Sequence, residues 1–568
     1  MIKKEQLKRK PFYLNEQEIA WVEDTLSQMT EEEKVGQLFF LTGYTNDKEY
    51  LTHISRDLQV GGMMCRAMSA QDVVSSVTQL QQNSKTPMLI AANLEAGGNG
   101  IVQEGTKIGA QMAVAATGDT QYAYELGSIC AQQAKSVGAN YAFAPVIDID
   151  FNFRNPITNT RTYGSDPDTV LAMGQAYLKG CQENGIIASI KHFPGDGVDE
   201  RDQHLLTSVN SLSCEEWDKT YGKIYKTLIE DGAKTVMAGH IMQPAYSRAL
   251  CPGIKDRDIL PASLSKELLC GLLREKLGFQ GLIISDATTM TGMTAAMPRD
   301  RAVPYAIAAG CDMFLFAKNL EEDVRFMFDG LKNGILSRER LEEAVTRILA
   351  LKASMGLHRQ NNIPQLTEAM RVLNDPHAQQ IAKEVADRSA TLVKNVDGII
   401  PLDKAKIKHV LLYGIESGEN ALGYGRETGL AEQLGALLEK EGMQVTHFKA
   451  GERFEGRQAS FKEVTEEFDL MLYIANLATK SNQTTVRIEW MNPMGVNCPI
   501  YTHTVPTVFI SVENPYHLLD VPHIKTFINC YSCNQYTLPL LVDKLFGRSK
   551  FTGSSPVDPF CGKWDTAL

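Results

Sequence analysis

No run of about 18 apolar residues occurs in the chain, so no helical membrane span is expected. The N-terminus, MIKKEQLKRKPFYLNEQEIAWVED, starts basic but has neither an apolar core nor a small-residue cleavage site, so it is not read as a secretory signal. Cysteine is sparse, with 11 among 568 residues, mostly single and inside apolar segments. That is the pattern of reduced, buried thiols in a cytoplasmic protein. The one Cys-x-x-Cys, Cys530 to Cys533, has no second pair nearby, which argues against zinc and against a redox pair. H-E-x-x-H is absent and the histidines are dispersed, so neither a metal nor another cofactor is expected. No basic face appears either. The net charge is -11 with both signs mixed along the chain, the opposite of a nucleic-acid-binding footprint.

What is present is an ordinary globular composition, 43% hydrophobic and 22% charged, in a chain too long for one core. Residues 1–355 repeat a short apolar run, a polar or glycine-rich turn and a helical stretch. The runs fall at 37–42, 59–64, 88–92, 141–146, 186–190, 235–238, 282–285 and 312–316. Thr30-x-x-Glu33 and Ser213-x-x-Glu216 fit capping boxes, and after Ser213 the set Trp217, Tyr221, Ile224, Tyr225, Leu228 keeps helical spacing. Eight strands alternating with helices predict an α/β fold with an N-terminal (β/α)8 TIM-type barrel; the alternative is an open doubly wound sheet. The barrel is favoured because unusual polar residues follow the runs: Asn93 and Glu95, Asp148 and Asp150 with Arg161 beyond, Lys191 and His192, His240, Asp286, and Lys318. A barrel gathers such residues at the C-terminal ends of its strands. Residues 356–384 look polar and partly helical, a linker. Residues 385–568 show a second α/β pattern, with runs at 409–413, 470–474, 507–512 and 526–528, predicting a smaller three-layer αβα sandwich. Gly423-Tyr-Gly425-Arg-Glu-Thr-Gly429 narrowly misses the dinucleotide fingerprint and is read as a turn.

One connection stands apart. Residues 191–204 read KHFPGDGVDERDQH and pack two histidines, a lysine, four acids and two glycines into a single stretch. A buried loop could not solvate so many polar groups, so an accessible site is expected there. Asp202 and His204 form an Asp-x-His pair suited to proton transfer; the plainer reading is a surface turn. Asp286 after a serine is either a turn or cap residue or a reactive carboxylate. The connection 195–212 is long, holds two glycines, and is of a kind that opens for substrate and closes for chemistry.

These residues resemble glycoside hydrolase family 3. The resemblance is carried by APVIDID with NTRTYGSDP, by KHFPGDG and DQH, by GLIISDATTM, and in the second domain by RSATLVKNVDGIIPL and PTVFISVENP. The KHFPG-x-G and D-x-H spacing is similar to the β-N-acetylglucosaminidase branch. The resemblance implies a barrel followed by an αβα sandwich. It also implies Asp286 as nucleophile, Asp202 and His204 as acid/base, and Lys191, His192 and Arg161 as sugar-binding residues. Two departures are visible: Gly195-Asp-Gly-Val-Asp199 stands where the branch usually has GHGDT, and Asn93 replaces the usual acid ahead of Glu95. Asn93 would still donate to and accept from a sugar hydroxyl.

The expectation is therefore an exo-acting, retaining β-N-acetylglucosaminidase of the cytoplasm that acts on an N-acetylglucosamine-containing glycan or glycopeptide, in peptidoglycan or chitin-fragment recycling. A phosphorylase is the first rival, because a histidine acid/base is neutral in one state and repels phosphate less than a glutamate would. A β-glucosidase and a sugar sensor on a decayed hydrolase frame are the others.

Overall fold

The computed structural model describes residues 2–43, 45–359, 363–416, 428–449, 461–479, 481–491 and 495–568. The chain divides into two compact units. One comprises Met1–Lys107, Ala123–Asn155 and Pro167–Ala378; the other comprises Ile108–Tyr122, Pro156–Asp166 and Gln379–Leu568.

The first unit is built on eight parallel strands: β1 (Phe39–Gly43), β2 (Gly62–Cys65), β3 (Leu89–Ala92), β4 (Tyr141–Ala142), β5 (Ile187–Phe193), β6 (Thr235–Ala238), β7 (Leu282–Ser285) and β8 (Phe314–Leu315). They pair in the order β8-β1-β2-β3-β4-β5-β6-β7, and a parallel bridge from Ile284 to Met313 joins the two ends of the row. A parallel barrel strand is covered on both faces, so it reads as an unbroken apolar run; GMMC, LIAA and LIIS are buried throughout. Two strands are shorter than their runs. The β4 ladder stops before Pro145, which has no N–H to donate, and β8 stops at Phe316, whose φ of 63° is incompatible with a strand.

The helices start where capping chemistry predicts. Thr30 accepts from the Glu33 N–H at 3.2 Å while Glu33 accepts from the Thr30 N–H, and Ser213 and Glu216 do the same. After Ser213 the helix runs Cys214–Trp217, then a π turn Asp218–Gly222, then Lys223–Glu230, with all five residues of the apolar stripe buried. At the N-terminal end of β8 the carboxylate of Asp312 is fully buried. It accepts from Arg274 at 2.7 Å, Arg340 at 2.8 Å, Arg347 at 3.3 Å and the Ile283 N–H at 2.9 Å.

The second unit holds a six-stranded sheet: β9 (Thr391–Asn395), β10 (His409–Glu416), β11 (Gln444–His447), β12 (Leu470–Asn476), β13 (Thr507–Ser511) and β14 (Thr526–Asn529), in the order β9-β14-β13-β12-β10-β11. Only β9 runs antiparallel. Alternation along each strand feeds two cores. Val410, Leu412, Leu472 and Ile510 pack with Leu434 and Leu541 of the helices Leu430–Lys440 and Thr537–Leu545; Leu411, Met471 and Phe509 pack on the other face with Val464 and Phe468. This is the three-layer arrangement. Across it Tyr413, Tyr473, Phe509 and Phe527 form a ladder of stacked rings with centroids 4.2, 5.8 and 5.4 Å apart. The stretch read as a linker carries the helices Leu366–Leu373 and Pro376–Ser389. Within the glycine motif at 423–429, residues 423–427 lie outside the described residues, and Gly429 (φ 69°) precedes a helix. Among the described residues no helix is long and apolar enough to cross a membrane, and all 11 cysteines are free thiols.

Candidate active site

Strand β5 delivers Lys191 and His192 at its C-terminal end, both buried. The Lys191 ammonium donates to Glu95 Oε1 at 2.6 Å, just beyond β3. Asp148, which follows β4 and is 1% exposed, holds His192 twice: Oδ1 accepts from the His192 backbone N–H at 3.1 Å, and Oδ2 lies 2.7 Å from Nδ1. With Nδ1 committed, Nε2 points the other way and sits 3.9 Å from Asp286 Oδ2. Asp286 follows β7. Its N–H donates to Ala238 O on β6 at 2.8 Å, and its Oδ1 accepts from the Ala287 N–H at 2.7 Å, so both backbone and carboxylate are fixed by strand-end hydrogen bonds. Asn93 is exposed at the C-terminal end of β3.

The connection after β5 returns over this end of the barrel. Gly197 adopts φ 101°, and a Cβ there would lie 1.9 Å from Ile149 O, so only glycine fits. The Asp196 N–H donates to Asp148 Oδ1 at 2.8 Å, and its own carboxyl accepts from Asn155 at 3.0 Å and the Gly197 N–H at 2.7 Å. Further on, Asp202 Oδ1 accepts from the His204 N–H at 2.9 Å and lies 2.6 Å from His204 Nδ1. The Asp202 carboxylate is fully buried, while the imidazole is one-quarter exposed. His204 O and Gln203 O accept from the N–H groups of Thr291 and Gly292 at 3.1 and 3.2 Å, in the segment after Asp286. Ser208–Val209 then pairs in parallel with Ile241–Met242, beyond β6.

The electrostatics divide the carboxyls. Burial alone would raise Asp286, but the fields of His192, His240 and His204 and the Ala287 N–H outweigh it and hold this carboxyl below the ordinary range. Asp196 goes the other way, well above the ordinary range, because burial and the adjacent Asp148 charge both disfavour its ionised form. His240 is fully buried and its basicity is lowered by that burial. Its Nδ1 lies 2.8 Å from Ser263 Oγ and its Nε2 3.0 Å from Ala287 O. It therefore braces the residue after Asp286 instead of facing solvent. A carboxylate kept ionised beside imidazoles, and a part-exposed imidazole backed by a buried carboxylate, can serve nucleophilic attack and proton transfer.

Asn93, Lys191, His192, Asp202, His204 and Asp286 thus all lie at or beyond the C-terminal ends of the barrel strands. Arg161 lies in a 3₁₀ turn, Asn159–Arg161, in a segment that belongs to the second unit. The sequence pattern did not reveal the bracing by Asp148, Gln203 and His240. Asp148 and His240 did stand out as polar residues just past apolar runs, but which groups they would meet depends on neighbours far away in the chain.

Residues 30–351 match the model of the glycosyl hydrolase family 3 N-terminal domain. Over 98% of this chain and 99% of the other, the sequence is 54% identical to a Cellulomonas fimi protein named beta-N-acetylglucosaminidase/beta-glucosidase. Among solved structures, beta-glucoside phosphorylase BglX is 43% identical, with a TM-score of 0.92 and 100% of both chains covered. A glycoside hydrolase family 3 beta-N-acetylglucosaminidase from Paenibacillus sp. str. FPU-7 shares the fold at 23% identity and a TM-score of 0.77, over 94% of this chain and 99% of that one. With the family model spanning the whole barrel and high identity running the length of the chain, this protein belongs to glycosyl hydrolase family 3.

Proposed function

We propose that the chain is an exo-acting, retaining β-N-acetylglucosaminidase that also accepts β-glucosides. Asp286 attacks the anomeric carbon as the bond to the leaving oxygen breaks, and a covalent glycosyl-enzyme forms. His204 gives its Nε2 proton to that oxygen, then takes a proton from the incoming water as the ester to Asp286 is cleaved. Asp202 orients the ring through Nδ1 and stabilises the imidazolium, as a buried carboxylate does in a catalytic triad. His192, Lys191 and Asn93 hold the sugar hydroxyls. The observation that carries this reading is the tie between the two reactive segments: the His204 carbonyl accepts from Thr291, five residues past Asp286. The double name of the Cellulomonas fimi relative supports the pair of sugars. A cytoplasmic role in recycling peptidoglycan or chitin fragments fits the reading.

A second reading, phosphorolysis, is favoured by one comparison, the full-length similarity to a beta-glucoside phosphorylase. The chemistry permits it: once His204 has given up its proton it is neutral and does not repel an anionic acceptor. Product analysis by proton and phosphorus NMR, with and without inorganic phosphate, tests both. Free sugar released first as the β-anomer supports hydrolysis with retention, and glycosyl phosphate in place of free sugar supports phosphorolysis. Release of the α-anomer would contradict a double displacement.

A further inference from the structure

Between the two members of the Asp202–His204 pair stands Gln203, 1% exposed. Such a residue in a surface turn would point outward. Here it points into the barrel end and touches three separate segments. Its Oε1 accepts from the His240 N–H at 2.8 Å, just past β6. Its backbone carbonyl accepts from Gly292, past β7. Its Nε2 faces Asp196 Oδ2 at 3.5 Å, on the segment that leaves β5.

The neighbours are shaped for this. A Cβ on Gly292 would lie 2.4 Å from Gln203 O and 2.9 Å from the His240 Cβ, so the two backbones meet at a separation only glycine allows. A Cβ on Gly239 would lie 3.2 Å from both Gln203 Oε1 and the His192 Cβ. Two of the groups Gln203 touches, Asp196 and His240, lead on through hydrogen bonds to residues of the site. The Asp196 N–H binds the carboxylate that holds His192, the His240 ring bonds Ala287 O, and Ala287 N–H binds Asp286. Among the described residues the side-chain anchor of His204 is Asp202, in the same strap. The placement of its ring relative to Asp286 is therefore set by whatever fixes the strap.

We infer that Gln203 is a positioning residue: it clamps the strap to the ends of β6 and β7 and so sets the distance and angle between the His204 imidazole and the Asp286 carboxylate. This rests on the assignment of His204 as acid/base. It predicts an effect confined to steps that need the acid. Misplacing a general acid slows departure of a poor leaving group and leaves a good one nearly untouched.

The test compares kcat/KM, which reports formation of the glycosyl-enzyme, on a methyl and on a dinitrophenyl β-N-acetylglucosaminide. Gln203→Met keeps the volume and removes the hydrogen bonds, and Gln203→Ala removes both. Gln203→Met should lose about 10- to 100-fold on the methyl glycoside and no more than about twofold on the dinitrophenyl one, less than the about 10²–10⁴-fold of a missing acid. In His204→Ala, adding Gln203→Met should change nothing further. Equal losses on both substrates, wild-type behaviour on both, or a further loss in the double variant would overturn the clamp. If His204→Ala itself treats the two leaving groups alike, the acid assignment falls first and the clamp with it, which separates the two failures.

Discussion

Lys352 offers a quantitative test of the barrel's packing. It lies in the helix Arg338–Ser354, is fully buried, and donates to Gln37 Oε1 at 2.6 Å, with Gln37 donating onward to Gln59 O. Among the described residues no carboxylate offsets the burial of its ammonium, and that burial lowers its pKa from 10.5 to about 7. At about 1.4 kcal/mol per pH unit, that drop corresponds to roughly 5 kcal/mol of cost for the charged form below neutrality, an upper figure that local relaxation reduces. Lys352→Met keeps the length of the side chain and removes the charge, but strands the Gln37 acceptor at about 1–3 kcal/mol. The net expectation is a stabilisation of about 1–3 kcal/mol near pH 6. The sign with pH follows from linkage: between about 7 and 10.5 the unfolded lysine binds a proton that the folded one does not, so wild-type stability gains from this group as pH rises. The advantage of the variant should therefore shrink and then reverse toward pH about 10. Differential scanning fluorimetry of both proteins from about pH 6 to 10 measures it, read as the difference in melting temperature. A variant less stable than wild type near pH 6, or one whose difference does not change with pH, would refute the placement of a lone ammonium in the core.

Two further outcomes follow from the site and the fold. Asp202→Ala should lower kcat/KM on poor leaving groups by about 10- to 100-fold while His204→Ala costs more, since the ring survives but loses its orientation; steady-state assays on a leaving-group series check this. Asp312→Ala should destabilise by about 3–5 kcal/mol because it leaves three buried guanidiniums without their shared carboxylate. Burial pushes Asp312 up but Arg347, Arg274 and Arg340 pull it lower overall, so its contribution is present above the ordinary carboxylate range and lost as pH falls. Acid unfolding monitored by circular dichroism should accordingly begin at higher pH in the variant than in wild type, and the stability difference between the two should narrow as pH falls and Asp312 is protonated; a difference independent of pH would contradict this.

Much of the barrel was legible because a strand buried on both faces has no polar alternation to hide it. The runs at 235–238 and 282–285 coincide with β6 and β7. Strand ends were less so, since Pro145 and Phe316 stop ladders that hydropathy alone would extend. The π segments His53–Asp57, Asp218–Gly222 and Glu267–Lys276 lie in stretches whose spacing reads as ordinary helix. In the candidate site, Lys191, His192 and Asp286 stood out because polar residue types follow apolar runs, and Asp202 and His204 because they form an Asp-x-His pair in a strongly polar connection. Gln203 did not: a glutamine between two polar residues resembles a surface turn, and its inward direction depends on Gly239 and Gly292, which make room for it from the segments after β6 and β7. The Asp312 cluster was equally hidden, since its three arginines come from two helices far along the chain from the strand they brace.

The most direct measurement is covalent trapping. A fluorinated β-N-acetylglucosaminyl fluoride, which forms the glycosyl-enzyme quickly and hydrolyses slowly, is incubated with the protein, and the digest is sequenced by mass spectrometry. The account predicts one tag, on the peptide GLIISDATTM at Asp286, and none in Asp286→Ala. A tag on another carboxylate, such as Asp148, Asp196 or Glu95, would contradict it.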